Sequence, residues 1–181
     1  SAIPEERLDR VKQSRVFPKL AIERCLSDAG VKITDIDEIA VGWNPMIELE
    51  SIPAGYLKSR RWRTEHLMQV PGQFLQGTNN KTSLENTISQ LYDDCPPITY
   101  INHYWAHMGN GFLQSPYENA AIVVLDGRGE NHTAIQAIGK GTNIDVISET
   151  FFPHSLGLFY GAFTQFLGHK PDSDEWKVMA L

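Results

Sequence analysis

The pattern that most constrains this chain is His103-Tyr-Trp-Ala-His107, followed by the apolar run Asn119-Ala-Ala-Ile-Val-Val-Leu125 and then Asp126-Gly-Arg-Gly-Glu130. Histidines four residues apart lie on one face of a helix, so both imidazoles can reach a single metal ion, although such a pair taken alone also fits structural or surface histidines. The β-branched run predicts a buried strand, and Asp126 stands where that strand ends. A helix bearing two histidines beside a strand end bearing a carboxylate makes a two-His-one-carboxylate metal site. The glycine turn next to it lets main-chain N–H groups approach a phosphate. Metal plus phosphate is the chemistry this pattern predicts. Tyr104 stands where a His-Glu-x-x-His metalloprotease carries its general base, which speaks against peptide hydrolysis. Imidazole plus carboxylate, with no soft ligand nearby, suits Fe(II), Zn(II) or Mn(II) and leaves positions open for a ligand oxygen.

Composition narrows the class. The chain has 181 residues, 41% hydrophobic and 21% charged, so it belongs with globular and not disordered sequences. A formal charge of -6 argues against a broad nucleic-acid surface. Lys58-Ser-Arg60-Arg61-Trp62-Arg63 is a local basic exception, readable as a solvated helix face or as a patch for an anionic ligand. Cys25 and Cys95 have neither metal nor redox spacing, which fits reduced thiols in a cytoplasm. No apolar run reaches membrane-spanning length and no signal peptide opens the chain, so neither a membrane nor a nucleic acid is expected as a partner. Ser1 to Arg7 reads as the tail of a strand, and Lys177 to Leu181 stop mid-pattern. Both suggest a fragment of a longer polypeptide.

Along the chain, Glu5 to Ser14 predicts a charged helix. Phe17-Pro18 introduces an amphipathic helix that Gly30 closes. Strands are expected at Glu38–Trp43, Ile98–Ile101, Ala120–Asp126, His132–Ile138 and Asp145–Thr150, with Gly139-Lys-Gly141 as the hairpin between the last two. Residues 47–82 read as an excursion from the sheet. Helices are expected from Ser83 to about Asp94, from His103 to Gln114, and from Leu156 to Leu167 with Ser155 as cap and Gly168 as stop. Together these predict an α/β fold with a mixed parallel and antiparallel sheet. The strand, Asp-Gly-x-Gly, strand order resembles the phosphate-binding hairpin of actin-like ATPase folds.

Further candidates carry competing readings. Ser155 and Gly157 lie at a helix N-terminus that favours an anion, or else form a plain cap. In Asp174-Glu175-Trp176-Lys177, an acid could hold ribose hydroxyls and Lys177 could meet a phosphate, or the segment is an exposed turn. Lys12 belongs to a charged helix whose default is a solvated face. Glu130 and Arg128 could pair with each other, and His132 reads as a strand residue.

Several motifs in order resemble the O-carbamoyltransferases of nodulation-factor and antibiotic biosynthesis. They are Glu5-Glu-Arg-Leu-Asp-Arg-Val-Lys12, Phe17-Pro-x-x-Ala-Ile-x-x-Cys-Leu26 and Asn102-His-Tyr-Trp-Ala-His-Met-Gly-Asn-Gly-Phe112. The likeness continues through Leu125-Asp-Gly-Arg-Gly-Glu130, Pro153-His-Ser-Leu-Gly-Leu-Phe-Tyr160 and Asp174-Glu-Trp-Lys-Val-Met-Ala-Leu181. The resemblance implies an actin-like, ribonuclease-H-like domain of which this chain is the N-terminal portion, related to the enzymes that place threonylcarbamoyl on tRNA. It implies that a separate domain of the same longer chain makes carbamoyl-adenylate from ATP and carbamoyl phosphate. The domain here would then transfer the carbamoyl group to a hydroxyl of a small-molecule acceptor. By position, His103, His107 and Asp126 match the family's iron ligands, with Fe(II) holding and polarising the adenylate. Lys12 aligns with a lysine near the reacting group. The Gly127-Arg128-Gly129 turn, Ser155 and Gly157, with Glu175 and Lys177, would contact the adenylate. A general base and a further aspartate ligand are expected outside these residues. An actin-like kinase would want Mg²⁺ held by carboxylates and waters, which the paired histidines disfavour. A nucleotide-binding scaffold without catalysis is the other alternative.

Overall fold

In the computed structural model, residues 1–12, 14, 16–44, 47 and 84–181 are described. The 47–82 excursion, the Ser83 cap and the basic cluster at 58–63 therefore lie outside the described residues, apart from Ile47. The chain forms two compact units, Ser1–Val41 with Leu49–Tyr100, and Gly42–Glu48 with Ile101–Leu181.

In the first unit, helix α1 covers only Glu6–Asp9, and residues 1–5, read from sequence as the tail of a strand, are not in a strand. The longer helix expected to Ser14 stops because Arg10 takes a left-handed conformation (φ 63°), and the Asp9 carboxylate accepts the Val11 N–H at 2.8 Å. Side-chain capture of a nearby N–H offers the backbone this alternative to helix. Helix α2 (Lys19–Ala29) starts after Pro18 and ends at Gly30, whose φ of 69° and N–H bonds to Leu26 and Ser27 carbonyls close the last turn. Its N-terminus is capped from a distance: Glu5 accepts the N–H groups of Leu20 (3.2 Å) and Ala21 (2.8 Å). Helix α3 (Leu84–Tyr92) buries Leu84, Thr87 and Ile88. Strands β1 (Ile39–Val41) and β2 (Ile98–Tyr100) pair in parallel, Ile39 opposite Ile98.

The second unit holds helix α4 (His103–Phe112) and three antiparallel strands in the order β3 (Asn119–Leu125), β4 (His132–Lys140) and β5 (Asn143–Phe151). Helices α5 (Leu156–Phe166) and α6 (Glu175–Met179) follow. Tyr104, Met108 and Phe112, spaced by four along α4, pack on Ile122 and Val124 of β3 and Ile135 and Ala137 of β4. Alternation along β3 does the rest: Ile122 and Val124 face the helix while Val123 and Leu125 are exposed. Gly139 is not the turn residue expected from sequence. It sits inside β4, where a Cβ would stand 2.5 Å from the Phe112 ring, and the turn falls at Gly141 (φ 59°). Bare backbone at 139 is what lets Phe112 lie flat on the sheet.

The single mixed sheet expected from sequence is two sheets among the described residues, a parallel pair and an antiparallel triplet. The parallel ladder ends at Val41 and Tyr100, and the next residues lead into the metal-site elements. The Gly42 carbonyl meets the His103 ring, and the Asn102 side chain caps α4.

Candidate metal centre

Helix α4 presents two stripes. Tyr104-Met108-Phe112 faces the sheet, and one residue earlier His103 and His107 share an adjoining face. The Asn102 Oδ1 starts the helix by accepting the Tyr104 N–H (2.9 Å) and the Trp105 N–H (3.3 Å). Packing of the Tyr104 stripe on β3 carries the histidine face to the end of that strand, where Asp126 follows Leu125.

His103 Nε2 lies 2.9 Å from Asp126 Oδ2 and 3.0 Å from His107 Nε2, and His107 Nε2 is 3.5 Å from the same carboxylate oxygen. The second nitrogen of His103, Nδ1, lies 3.1 Å from the Gly42 carbonyl. A carbonyl only accepts, so Nδ1 carries the proton. In a neutral His103, Nε2 then presents a lone pair to a carboxylate oxygen. Two acceptors at that distance need a positive charge between them, either a second ring proton or a metal ion. This donor set fits a divalent cation of the imidazole- and carboxylate-binding kind. The site is open on one side: side-chain exposure is 23% for His103, 38% for Asp126 and 47% for His107. A ligand oxygen therefore has room to approach.

Asp126 divides its oxygens. Oδ2 faces the histidines, while Oδ1 accepts the Gly127 N–H at 2.6 Å. Burial pushes its carboxyl upward, but the His103 hydrogen bond, the Gly127 N–H and the two imidazoles outweigh it. The group is held below the usual aspartate range and stays ionised, as a ligand must.

The glycine turn serves this carboxylate more than a phosphate. Gly127 N–H is committed to Asp126, and Gly129 N–H donates to the His132 carbonyl at 2.9 Å. Ser155 caps α5 by accepting the Leu158 N–H (3.1 Å), and its own hydroxyl reaches the Gly127 carbonyl at 2.7 Å and the Asp126 carbonyl at 3.1 Å. Gly157 lies so close that a Cβ would stand 2.6 Å from Gly127 Cα. The structure thus brings Asp126, Gly127, Ser155 and Gly157 together.

Residues 1–181, the whole chain, match the family model described as carbamoyltransferase N-terminus. This chain belongs to the carbamoyltransferase family. It is 33% identical over 186 residues to an uncharacterized protein of Synechocystis sp., and 30% identical over 184 residues to the nodulation protein NolNO of Sinorhizobium fredii. An uncharacterized protein of Methanocaldococcus jannaschii is 26% identical over 182 residues. These alignments take in 99–100% of the chain, which spans only 25–30% of the length of those relatives.

Of the remaining candidates of this carbamoyltransferase chain, Lys177, Glu175, Arg128 and His132 have local partners. Lys12 is exposed in the turn after α1, in the first unit. Lys177 Nζ pairs with Asp174 at 3.0 Å, and Glu175 Oε1 accepts the Asp172 N–H at 2.7 Å. The Arg128 guanidinium lies over the Phe152 ring, 5.6 Å from its centroid. His132 opens β4 and bonds Glu149 at 2.8 Å.

Sequence reasoning missed three contributors. Gly42 orients the His103 ring, Trp43 packs against it with centroids 5.2 Å apart, and Glu130 is 1% exposed with its carboxylate on main-chain N–H groups. The only signal for Glu130 was its place at the end of the Asp-Gly-x-Gly motif. The structure gives it partners other than the Arg128 side chain that its spacing offers.

Proposed function

We propose that this chain is the metal-bearing part of a domain that transfers a carbamoyl group from carbamoyl-adenylate to a hydroxyl of a small-molecule acceptor. The adenylate would come from ATP and carbamoyl phosphate, made by another domain of the longer polypeptide. The observation that carries this reading is the convergence of His103 Nε2, His107 Nε2 and Asp126 Oδ2 within a chain of this family.

His103, His107 and Asp126 would hold Fe(II), which when bound supplies a fixed positive charge and Lewis-acid polarisation of a substrate oxygen. The chain's own residues do the positioning. Asp126 is fixed by the Gly127 N–H, and Ser155 ties that turn to α5. The first turn of α5, whose partial positive charge favours an anion, packs directly on this turn, so the adenylate phosphate would bind beside that contact and not between the two. Since the N–H groups of Gly127, Gly129 and Leu158 are already bonded, the main-chain contacts would fall to Gly157 at the start of α5. In the transfer itself, the acceptor oxygen would bond to the carbamoyl carbon, the bond from that carbon to the AMP phosphate oxygen would break with AMP leaving, and the hydroxyl proton would pass to the general base expected outside these residues. With AMP departing readily, positioning the acceptor is the larger part of the task.

The sequence β3, glycine turn, β4, β5, α5 supports an actin-like, ribonuclease-H-like fold for the complete domain. The acidic charge favours a small acceptor over tRNA. The test is a product assay on the full-length protein with ATP, carbamoyl phosphate and a panel of polyhydroxylated acceptors. AMP with an O-carbamoylated product is expected. ADP with a phosphorylated product would replace this reading with a kinase, and nucleotide binding indifferent to metal removal would replace it with a scaffold.

A further inference from the structure

Glu130 is a carboxylate buried to 1% exposure, and both of its acceptor directions are used on main-chain N–H groups. Oε1 accepts the Asn44 N–H at 2.6 Å and the His103 N–H at 3.0 Å, and Oε2 lies 3.2 Å from the same His103 nitrogen. These two N–H groups belong to segments 59 residues apart in sequence, the first residue of α4 and the loop after β1. That loop also carries the Gly42 carbonyl, which receives the His103 Nδ1–H. The bonds close a ring: from Glu130 to the His103 main chain, through its imidazole to Gly42, along the loop to Asn44, and back to Glu130. His103 is therefore gripped at both ends by one buried side chain, at its backbone directly and at its ring through the loop.

We infer that Glu130 is a positioning residue for the metal centre, setting the angle at which His103 Nε2 faces Asp126 and His107. The inference rests on the reading of those three residues as ligands. Two further features favour it over a merely stabilising role. A carboxylate favours a helix N-terminus, yet Asn102 already caps α4 through the Tyr104 and Trp105 N–H groups. The extra carboxylate adds the one N–H that belongs to a ligand residue. The backbone is also shaped to admit it: at Gly129, a Cβ would stand 2.6 Å from the Tyr104 ring, so only glycine lets the turn bring Glu130 under the helix.

The test is Co(II) binding to the metal-free full-length protein, read by affinity and by the d–d absorption bands, for wild type, Glu130→Gln, Glu130→Ala and a His103→Ala/His107→Ala double variant. Partners that orient a metal-bound histidine typically change affinity by about 10- to 100-fold when removed. Glu130→Ala should fall in that range with shifted bands. Glu130→Gln, which keeps an Oε1 acceptor but loses the charge, should lie between it and wild type with an unfolding temperature close to wild type. Should the alanine variant not fold, Glu130→Gln decides alone. Wild-type affinity and unshifted bands in Glu130→Gln, and in Glu130→Ala where that variant folds, would overturn the inference while leaving the metal site standing. Equal Co(II) binding by wild type and the double-histidine variant would instead overturn the ligand reading itself.

Discussion

Gly157→Ala sets two effects of opposite sign against each other. Replacing a helical glycine by alanine ordinarily stabilises by up to about 1 kcal/mol, because glycine loses more backbone freedom on folding. At Gly157 the structure reverses that expectation. The new Cβ would stand 2.6 Å from Gly127 Cα, 2.7 Å from Gly127 N and 2.8 Å from the Asp126 carbonyl oxygen. All three are backbone atoms, so no side chain can swing aside. Ordinary carbon contacts begin at about 3.5 Å, so the turn and α5 must separate by roughly 1 Å. That separation stretches the Ser155 hydroxyl bond to the Gly127 carbonyl from 2.7 Å beyond hydrogen-bond range, and the bond to the Asp126 carbonyl with it. Overpacking costs about 1–3 kcal/mol and each lost hydrogen bond about 1 kcal/mol. With both Ser155 bonds lost, and against a propensity gain of at most about 1 kcal/mol, the net is a destabilisation of about 2–5 kcal/mol. Asp126 moves with the turn, so metal affinity falls as well. The control is Gly161→Ala in the same helix, where a Cβ meets its nearest neighbours at an unstrained 3.8 Å. It should be neutral or stabilising. Urea unfolding and Co(II) titration of both full-length variants check this. Gly157→Ala matching Gly161→Ala in stability and metal affinity would refute the reasoning.

Other expectations follow from the same unit. Tyr104 is fully buried and its hydroxyl has no hydrogen-bond partner among the described residues, while burial and the charges of Asp126 and Glu130 push its ionisation well above the ordinary tyrosine value. Tyr104→Phe should therefore be neutral or stabilise by up to about 1 kcal/mol in urea unfolding, and a loss of that size would contradict it. Asp126 has a folded-state pKa below its unfolded value, so in the metal-free protein its contribution to stability is complete above the ordinary aspartate range. That contribution disappears as pH falls through the lower, folded-state value. Asp126→Asn should flatten the acid limb of an unfolding-versus-pH curve through and below the ordinary aspartate range, and an unchanged limb would sink the attribution.

The three proposed metal ligands were legible because each obeys a local rule. His103 and His107 share a helix face by spacing, and Asp126 falls at the end of a β-branched run whose boundaries hydrophobicity marks. Helix α5 was legible in the same way, with Ser155 as its cap and Gly168 (φ 84°) just past its end. What escaped is non-local. Glu130 meets His103 across 27 residues and Asn44 across 86, and no periodicity encodes those encounters. Gly139 looked like a hairpin residue because glycines mark turns, yet it answers to a Phe112 ring brought over it by tertiary packing. The short α1 reflects competition at one residue, where the Asp9 side chain captures an N–H that a longer helix would have left to the backbone. Family membership was readable from the motifs, and the match over residues 1–181 bears it out.

Anaerobic iron analysis of the full-length protein, run beside a carbamoyl-transfer assay in wild type and the His103→Ala/His107→Ala double variant, tests the account most directly. Near-stoichiometric iron in wild type, lost together with transfer in the variant, is the predicted result. Transfer and metal content unchanged by the double substitution would contradict it and leave the two histidines as surface neighbours of a buried stripe.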